Sequence, residues 1–492
     1  MGKAWYWARG RTRTVGLLVL ALAVLPGCNV PRSHLATFNQ SYELGDVPGA
    51  QQYAENRVKP ESPPAGDNLL WALQLGVTKR MLGDFAQSNE WFDRAEEMMK
   101  HYDTGFKGLD VVGTTLVNET VLPYRGAEYD GIMVNTYKAL NFMSLGQDDL
   151  ARVEFNRALE RQMRARERFH AEIQKLQDKM ASDRNSGKVD YTQTMENPDL
   201  QTRLDAQYPG RNDFQAYPDF VNPFSTYLAG VFFTMIADPA KAVDLLKESA
   251  GMLPDNRTVA QDFERVRQWL DKGTAPEPAV WVIYEGGLGP IKEEFRIDLP
   301  LFLATQKVYY AGIALPKLSP RGPAVEPLEV DSSPTGTRTE LVADMDRVVH
   351  TEFAKDFPGI LMRAVVSAAA KAVAQNALLQ QRETGAKLMG AMMAVYSAAT
   401  TTADVRIWTS LPKQFQVARV PLPADGKLRV RAGGQTLEIP IPGGRYVLVH
   451  IRMISGACQP VWQVIARGEL AAPPATPAAE PADTVASPSK DP

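Results

Sequence analysis

LGVTKRMLGDFAQSNEWFDRAEEM, residues 75–98, sets the pattern for the N-terminal half of this 492-residue chain. The pair Gly83-Asp84 in its middle looks like the tight turn between two antiparallel helices. Gly76 stands seven residues before that turn and Ser88 stands five after it. Small residues at these places let one helix approach the other closely, and Phe92 fills the groove between them. The stretch therefore predicts a helical hairpin.

The same arrangement recurs at three other turn-like pairs, Gly45-Asp46, Gly146-Gln147 and Ala237-Asp238. In chain order, the residues at the matching offsets are Phe38, Ala50, Ala54 and Arg57; Gly76, Ser88, Phe92 and Ala95; Ala139, Ala151, Phe155 and Ala158; and Gly230, Ala242, Leu246 and Ser249. This is the spacing of tetratricopeptide (TPR)-like helix pairs. The turns are not evenly spaced, so we expect a TPR-like domain over 28–272 with insertions near 103–128 and 183–222. The alternative is an irregular helical bundle without superhelical stacking.

The N-terminus, MGKAWYWARGRTRTVGLLVLALAVLPGC, combines a basic start with an apolar core of about ten residues. That core is too short to cross a bilayer, which needs about 20 apolar residues, so residues 1–27 are predicted to be a signal peptide. Its end, Leu25-Pro26-Gly27-Cys28, resembles the lipobox of bacterial lipoproteins. Cys28 is then the lipid-attachment residue, carrying acyl chains such as palmitate that anchor the mature chain. An ordinary signal peptide or a short anchor with an incidental cysteine is the alternative.

Composition narrows the possible partners. The chain has a formal net charge of −3, and removal of the four basic leader residues leaves 50 basic against 57 acidic residues. A mildly acidic protein is a poor candidate for nucleic-acid binding. If Cys28 carries lipid, Cys458 has no partner for a disulfide within the chain. The fold must then be stabilised by its hydrophobic cores, with Cys458 as a buried thiol.

A second, β-rich α+β domain is predicted over 276–469, after the Gly- and Pro-containing linker DKGTAPEPA. Strand-like stretches are VWVIYE, EFRIDL, YYAGIALPKL and KLRVRAGGQTLEIPIPGGRYVLVHIRM, in which the glycine pairs are expected to mark hairpin turns. The whole chain is therefore predicted to be α+β. Residues 470–492 are rich in Ala, Pro and Asp and predict a disordered tail.

Two Ala-rich helices are predicted between these strand groups, near 360–400. Small residues form ridges at Ala364, Ala368 and Ala372, and at Ala386, Gly390, Ala394 and Ala398. Such ridges permit close backbone approach. We expect a tightly packed helical hairpin, with a homo-oligomer contact or a hairpin that touches the bilayer as alternatives.

Three stretches carry a family resemblance: NPFSTYLAG, YEGGLGPIKEEFRIDLPL and ADVRIWTSLPKQFQVARVPLP. They resemble the signature stretches of a largely uncharacterised family of Gram-negative bacterial lipoproteins with TPR-like repeats, and the resemblance covers about residues 35–465. Asn29 after the cysteine favours, by resemblance to lipoprotein sorting rules, an outer-membrane, periplasm-facing location. The resemblance implies no established enzymatic activity. For the partners, the resemblance implies envelope proteins, including the peptidoglycan-synthesis machinery.

No recognisable catalytic motif or metal-ligand spacing occurs in the sequence, so neither an enzyme nor a cofactor is expected. Asp404 and Arg406 lie two apart on one face of an extended segment, with Trp408 next along it. Glu285 and Lys292 flank the GGLGP turn. These five residues form a candidate interaction patch with one aromatic anchor. The alternative is that the charges pair internally and Trp408 packs in the core.

The sequence thus favours a lipid-anchored periplasmic scaffold that binds envelope proteins in a helical-repeat groove. Two other hypotheses stay open. One is a regulator or enzyme of cell-wall (peptidoglycan) metabolism with a site in the second domain. The other is an oligomeric envelope-assembly component that associates through the 360–400 hairpin.

Overall fold

The computed structural model describes residues 30–58, 67–105, 123–185, 194, 196–208, 222–302, 308–322, 325–331, 336–379, 401–432 and 434–469. Cys28, the leader, parts of both insertions, the second Ala-rich ridge and the C-terminal tail lie outside these residues. The protein is 53% helical and 21% strand, which confirms the α+β class.

Ten helices precede the first strand in the described part of the chain. They are α1 Val30–Glu43, α2 Val47–Glu55, α3 Asn68–Met81, α4 Phe85–Gly105, α5 Glu128–Ser144, α6 Asp148–Asn185, α7 Pro198–Gln207, α8 Pro223–Met235, α9 Pro239–Met252 and α10 Arg257–Lys272. The pairs α1–α2, α3–α4, α5–α6 and α8–α9 are the helical hairpins whose turns the sequence predicts, and the two helices of each pair pack together.

All four turns are closed by the same backbone hydrogen bonds. In the α3–α4 turn the Gly83 N–H donates to Arg80 O and the Asp84 N–H donates to Lys79 O, each at 3.0 Å. This is a Schellman motif, which requires a left-handed residue, and Gly83 has φ +80°. The Asp84 carboxylate then accepts the Gln87 N–H and caps the next helix. One residue pair therefore ends one helix and begins the other.

Small residues allow the helices of a hairpin to touch. A Cβ at Gly76 would lie 2.2 Å from the Phe92 ring, and one at Gly230 would lie 2.8 Å from Leu246. The Ser88 hydroxyl donates to Gly76 O at 2.7 Å across the same contact. These contacts lie at the offsets by which the hairpins were predicted.

In the described part of the chain, the remaining elements form three sheets and one long helix. They are β1 Ala279–Gly286, β2 Ile291–Phe302, β3 Val308–Ser319, β4 Glu329–Asp331, β5 Thr337–Arg338, β6 Glu340–Asp344, α11 Met345–Leu379, β7 Gln414–Pro421, β8 Lys427–Ala432, β9 Gln435–Pro440, β10 Tyr446–Met453 and β11 Val461–Arg467. A five-stranded sheet has the order β11-β10-β1-β7-β6, a four-stranded sheet has the order β5-β4-β8-β9, and β2 pairs with β3. The β1–β10 pair is parallel, whereas the other pairs are antiparallel.

The five-stranded sheet is the middle layer of the protein. Both faces of β1 and β10 are buried, as their continuous apolar sequences require. One face, with Trp281 and Phe415, belongs to the same hydrophobic cluster as the four hairpins. The opposite face, with Val280 and Val449, packs against the four-stranded sheet. The helical and β-rich regions therefore share a continuous core.

One turn prediction is wrong. The Gly443-Gly444 pair does not make a hairpin, because β9 lies in the four-stranded sheet and β10 lies in the five-stranded sheet. The chain changes layers here, and β10 then pairs in parallel with β1, from which it is more than 150 residues distant. By contrast, β8 and β9 are directly paired and antiparallel.

Helix α11 forms the first part of the Ala-rich region and packs on the β2–β3 ribbon together with α7. Ala368 is buried in this contact, whereas Ala364 and Ala372 are partly buried. The predicted partner helix lies outside the described residues. Within the residues described, no helix is long and apolar enough to cross a membrane.

Candidate functional site

Asp404 and Arg406 form an ion pair at the junction between the hairpins and the sheets. The Arg406 guanidinium donates from Nε and Nη2 to the two carboxylate oxygens of Asp404, each at 2.8 Å, and from Nη1 to Asp67 Oδ1 at 2.8 Å. Burial opposes ionisation of Asp404, but Arg406 outweighs it and holds the pKa of that carboxyl below its usual value. The two residues therefore pair inside the protein, as the alternative hypothesis for the patch expected.

Trp408 lies in the core, with 2% of its surface exposed. Its indole donates to Ser410 Oγ at 2.8 Å, and its ring meets the rings of Phe92 and Tyr137 at centroid distances of 6.0 and 6.1 Å. Lys292, near the start of β2, is partly buried and favours ionisation of Asp404 and Asp130 through its charge. Lys292 thus belongs to the Asp404 side of the junction.

Glu285, next to last in β1, has a separate set of partners. Its carboxylate is 2.7 Å from His450 Nε2 and accepts the Tyr137 hydroxyl at 3.2 Å. Tyr137 separates the two groups, because its hydroxyl binds Glu285 while its ring contacts Trp408. The five residues predicted as one patch are therefore divided. Asp404, Arg406 and Lys292 belong to one group, Glu285 belongs to another with His450, and Trp408 lies in the core.

A cavity of about 260 Å³ opens beside Glu285. It is lined by Val77, Arg80, Met81, Leu82, Gly83, Phe85, Tyr137, Glu285, His450, Arg452, Val461, Trp462 and Gln463. Leu82, Val461 and Trp462 are 47%, 37% and 43% exposed and form its mouth, whereas Arg80 and Arg452 are buried at 6% and 3%. Small-molecule sites are typically concave, mainly apolar and lined by a few convergent polar groups, with volumes of about 300 to 1,000 Å³. This cavity has the same character and is slightly smaller.

Register places the polar residues of this cavity together. His450 and Arg452 are two apart on β10 and point to one face, and β10 lies beside β1 with Glu285 opposite Arg452. Arg452 Nη1 donates to the carbonyls of Glu285, Gly287 and Met453 at 3.2, 2.7 and 3.0 Å. Arg80 enters from α3, where its Nη1 donates to Asn141 Oδ1 at 2.5 Å.

The charge states follow from these neighbours. Burial opposes ionisation of Glu285, but His450, Arg452 and Arg80 outweigh it, and the pKa of Glu285 lies below the usual value. Burial lowers the pKa of His450 despite the nearby Glu285, so the imidazole is neutral at neutral pH. Because a carboxylate only accepts hydrogen bonds, the neutral His450 donates from Nε2 to Glu285. The side chains that line the cavity then carry one negative charge, on Glu285, and two positive charges, on Arg80 and Arg452.

Four donor nitrogens that belong to lining residues are themselves inaccessible to water and have no hydrogen-bond acceptor among the described residues. They are Arg80 Nη2, Arg452 Nε, Arg452 Nη2 and Gln463 Nε2. Arg452 Nε lies 3.9 Å from Glu285 Oε2, too far for a hydrogen bond, whereas the nearby Tyr42 hydroxyl favours the charged form of the Arg452 guanidinium. An unsatisfied buried donor costs about 1 to 3 kcal/mol, so a group of four such atoms requires an explanation.

Sequence analysis identified Glu285 but not its partners. His450 and Arg452 carried one signal, since their period of two within a strand places them on one face. Nothing local indicated that β10 pairs with β1, or that Arg80 of a helix points to the same place. Among the described residues, no group of three or more His, Cys, Asp or Glu side chains could hold a metal ion.

No protein-family model, curated protein or solved structure matches this chain.

Proposed function

We propose that this chain is a lipid-anchored scaffold of the outer membrane that faces the periplasm and binds envelope proteins. In this proposal Cys28 carries the anchor, the hairpins of residues 28–272 are TPR-like repeats, and residues 276–469 form the β-rich region that supports them. The peptidoglycan-synthesis machinery is the partner class that the family resemblance suggests. Support comes from the lipobox-like sequence, from the four turns closed by the same hydrogen bonds and from the exposed apolar residues along those turns.

The apolar surface carries the proposal. Three hairpin turns follow one another along β11 and the loop before it: Gly45 lies against Cys458, Leu82 lines the same cavity as Val461 and Trp462, and Arg467 donates to Met143 O at 2.6 Å. The residue before each turn glycine is an exposed leucine. We call Leu44, Leu82, Leu145, Val461 and Trp462 the turn surface; their exposed fractions are 76%, 47%, 42%, 37% and 43%.

A partner is expected on the turn surface rather than in a groove between helices. The first helices α3, α5 and α8 are buried over nearly their whole length. The sheet and the stretch before β7 cover them: Phe224 stacks on Phe415 of β7 at 3.7 Å, and Gln74 donates to the Thr409 hydroxyl at 2.9 Å. The protein's own sheet thus occupies the side that a repeat groove would offer, whereas the turns remain exposed.

Exposed apolar patches mark protein–protein contacts, and tryptophan is enriched at the residues that dominate binding. In addition, β11 is an edge strand of the five-stranded sheet, paired on one side with β10. An edge strand leaves backbone donors and acceptors available for a partner. A tether at the membrane raises the local concentration of any partner in the same envelope.

The test is crosslinking in the envelope followed by mass spectrometry, with the variant Leu44→Ser/Leu145→Ser. Both changes lie outside the cavity lining. The variant is expected to lose most of the protein crosslinks of the natural chain, because it loses apolar contact area. Leu270→Ser, at a 50% exposed leucine of α10, is the control and should retain them. Recovery of lipids alone, or equal crosslinking of the two variants, would contradict the scaffold proposal.

One observation favours the second hypothesis, an enzyme or regulator of peptidoglycan metabolism. Glu285 and His450 form a hydrogen-bonded pair at 2.7 Å beside a cavity, an arrangement suited to proton transfer. Glycosidases use two facing carboxylates, whereas Glu285 is the single carboxylate among the described residues that line this cavity. Peptidoglycan turnover by the purified protein that is abolished by Glu285→Gln would support this hypothesis over the scaffold.

A further inference from the structure

The first two hairpins, α1–α2 and α3–α4, differ between their two ends. Their turns carry two leucines of the turn surface. At the opposite end, Arg57 Nη1 donates to His34 Nε2 at 3.0 Å and joins the residues after α2 to the first half of α1. Asp67, just before α3, is close enough to influence the ionisation of both His34 and Tyr102, which lies near the end of α4. We call His34, Arg57, Asp67 and Tyr102 the open end.

The proposed lipid anchor is attached at the open end. Only Asn29 separates Cys28 from Val30, the first residue of α1. Because one residue spans at most about 3.6 Å, the Cα atoms of Cys28 and Val30 are at most about 7 Å apart. When the acyl chains of Cys28 are in the bilayer, the first turn of α1 therefore lies at the membrane surface.

The turn surface begins at the other end of the same helix. Helix α1 has 14 residues, from Val30 to Glu43, and Leu44 of the turn surface follows it directly. With a rise of about 1.5 Å per residue, α1 is about 21 Å long. The anchor and Leu44 are therefore separated by roughly the length of this helix.

The side chains at the two ends suit different surroundings. Within the described residues of these two hairpins, the exposed large apolar side chains are Leu44 and Leu82, and both lie at turns. Beside the open end, the charged residues Lys100, Arg125 and Glu97 are exposed. Charged groups are costly in the hydrocarbon core of a bilayer and are hydrated among the headgroups. The open end is therefore suited to contact with headgroups rather than to insertion.

We propose that the open end is a membrane-contact surface, held against phospholipid headgroups by the short connection to Cys28, and that the turn surface points away from that bilayer. The bilayer is then the partner of the open end, and the leucines of the turn surface stay accessible to a protein in the periplasm. The inference rests on the proposed function for the lipid on Cys28. It goes beyond that function because a scaffold on a long tether has no fixed orientation.

Fluorescence quenching measures this orientation. The lipidated full chain with Cys458→Ser is reconstituted in phosphatidylcholine vesicles in which part of the lipid carries a nitroxide on its headgroup. A fluorophore is attached at His101→Cys, beside the open end, or at Leu82→Cys, in the turn surface of the same hairpin; both positions are exposed. Quenching at position 101 is expected to be at least about twofold stronger, because α4 separates the two positions by about 24 Å.

A spacer tests whether the short connection sets the orientation. About 16 Gly and Ser residues inserted after Asn29 form a flexible chain with a mean end-to-end distance of about 22 Å, comparable to the length of α1. This insertion should remove the difference in quenching between positions 101 and 82 without changing flotation of the protein with the vesicles. The same spacer inserted after Glu469 is the matched control and should preserve the difference.

The outcomes separate this inference from the proposed function. If the lipidated chain does not float with the vesicles, the anchor is wrong, and the scaffold proposal and this inference are both overturned. The membrane-contact assignment alone is overturned, and the anchor stands, in three cases: the two fluorophores are quenched equally, position 82 is quenched more strongly, or the spacer after Asn29 leaves the difference unchanged.

Discussion

Glu285 keeps its charge inside the protein because each side of its carboxylate has a polar neighbour. His450 donates to one oxygen at 2.7 Å, Tyr137 donates to the other at 3.2 Å, and the guanidinium groups of Arg452 and Arg80 lie nearby. A buried charge is tolerated only with such compensation. The arginines, however, retain nitrogens without acceptors, so compensation is complete for the anion and incomplete for the cations.

In Asp130, by contrast, the cost of burying the charge exceeds the stabilisation by its hydrogen bonds. This fully buried residue in the first turn of α5 accepts the Tyr124 hydroxyl at 2.6 Å and the Ala127 N–H at 2.9 Å, while its Oδ1 has no hydrogen-bond partner among the described residues. Burial outweighs these hydrogen bonds and raises the pKa of Asp130 to about 6. The folded protein therefore binds a proton more tightly here than the unfolded chain does. The resulting stability is present at low pH and is lost as the pH rises through 6.

Asp130→Asn is expected to make the protein more stable at pH 8, by about 1 to 3 kcal/mol, because the amide carries no charge to desolvate. The difference in free energy of unfolding should shrink as the pH falls through 6 and vanish below about 4. Urea unfolding at pH 8 and pH 4 measures this difference.

Asp244→Asn, at an exposed position of α9, is the control for Asp130→Asn and should show no comparable pH dependence. If Asp130→Asn proves less stable than the natural chain at pH 8, the Asp130 carboxylate is a better-stabilised anion than its surroundings indicate.

At the scale of elements, the four hairpin turns differ at one position. Glycine occupies the left-handed position in three of them, with φ between +73° and +82°, whereas Ala237 occupies it in the fourth with φ +60°. A residue with a Cβ is strained in this conformation by about 1 kcal/mol. The α8–α9 turn therefore forms although alanine is unfavourable at this position. Its Schellman hydrogen bonds and the Asp238 cap are retained.

Ala237→Gly is expected to raise the free energy of unfolding by about 1 kcal/mol, by relieving this strain. Gly83→Ala is the matched reverse change: a Cβ there meets nothing within 4 Å, so only its φ of +80° should matter. It should lower stability by about the same amount. Both are measured by urea denaturation, and destabilisation by Ala237→Gly would contradict the explanation.

These elements also show which structural features can be predicted from local sequence. The hairpins were predictable because each depends on residues within about twenty positions, and the strands because apolar residues alternate or run continuously. Sheet membership was not predictable. The Gly443-Gly444 pair resembles a hairpin turn, yet the parallel β1–β10 pairing takes β10 into another sheet. Such pairing depends on distant residues, about which a local pattern carries no information.

At the scale of the whole molecule, the stretch 403–413 joins the helices to the sheets. Arg406 binds Asp67, Tyr42 donates to Ser410 O at 3.1 Å, and Lys413 pairs with Asp346. Gly289 donates to Leu411 O at 2.9 Å, which bonds the two stretches EGGLGPIK and ADVRIWTSLPK to each other. Two of the three segments that carry the family resemblance thus meet at this junction.

This junction explains how much of the site could be predicted. A sequence can flag unusual residues, and it flagged Asp404, Arg406 and Trp408, but it does not tell whether they face a partner or the interior. Here Arg406 and Trp408 face the interior, and the partly buried Asp404 pairs with Arg406. Glu285 lies next to a cavity because Arg80, His450 and Arg452 converge on it from α3 and β10. That convergence arises only when the whole chain folds.

The proposed function requires the protein to be held at the outer membrane, and Cys28 is the residue on which this depends. Fractionation of cells that express the natural chain, Cys28→Ser and Cys458→Ser tests the requirement. Cys458 is the matched control because its thiol is buried, with 7% of the residue exposed. The natural chain and Cys458→Ser should be found in the outer-membrane fraction, and Cys28→Ser should leave it. If Cys28→Ser remains in the outer-membrane fraction with the natural chain, the lipid anchor, and with it the account of a tethered scaffold, is contradicted.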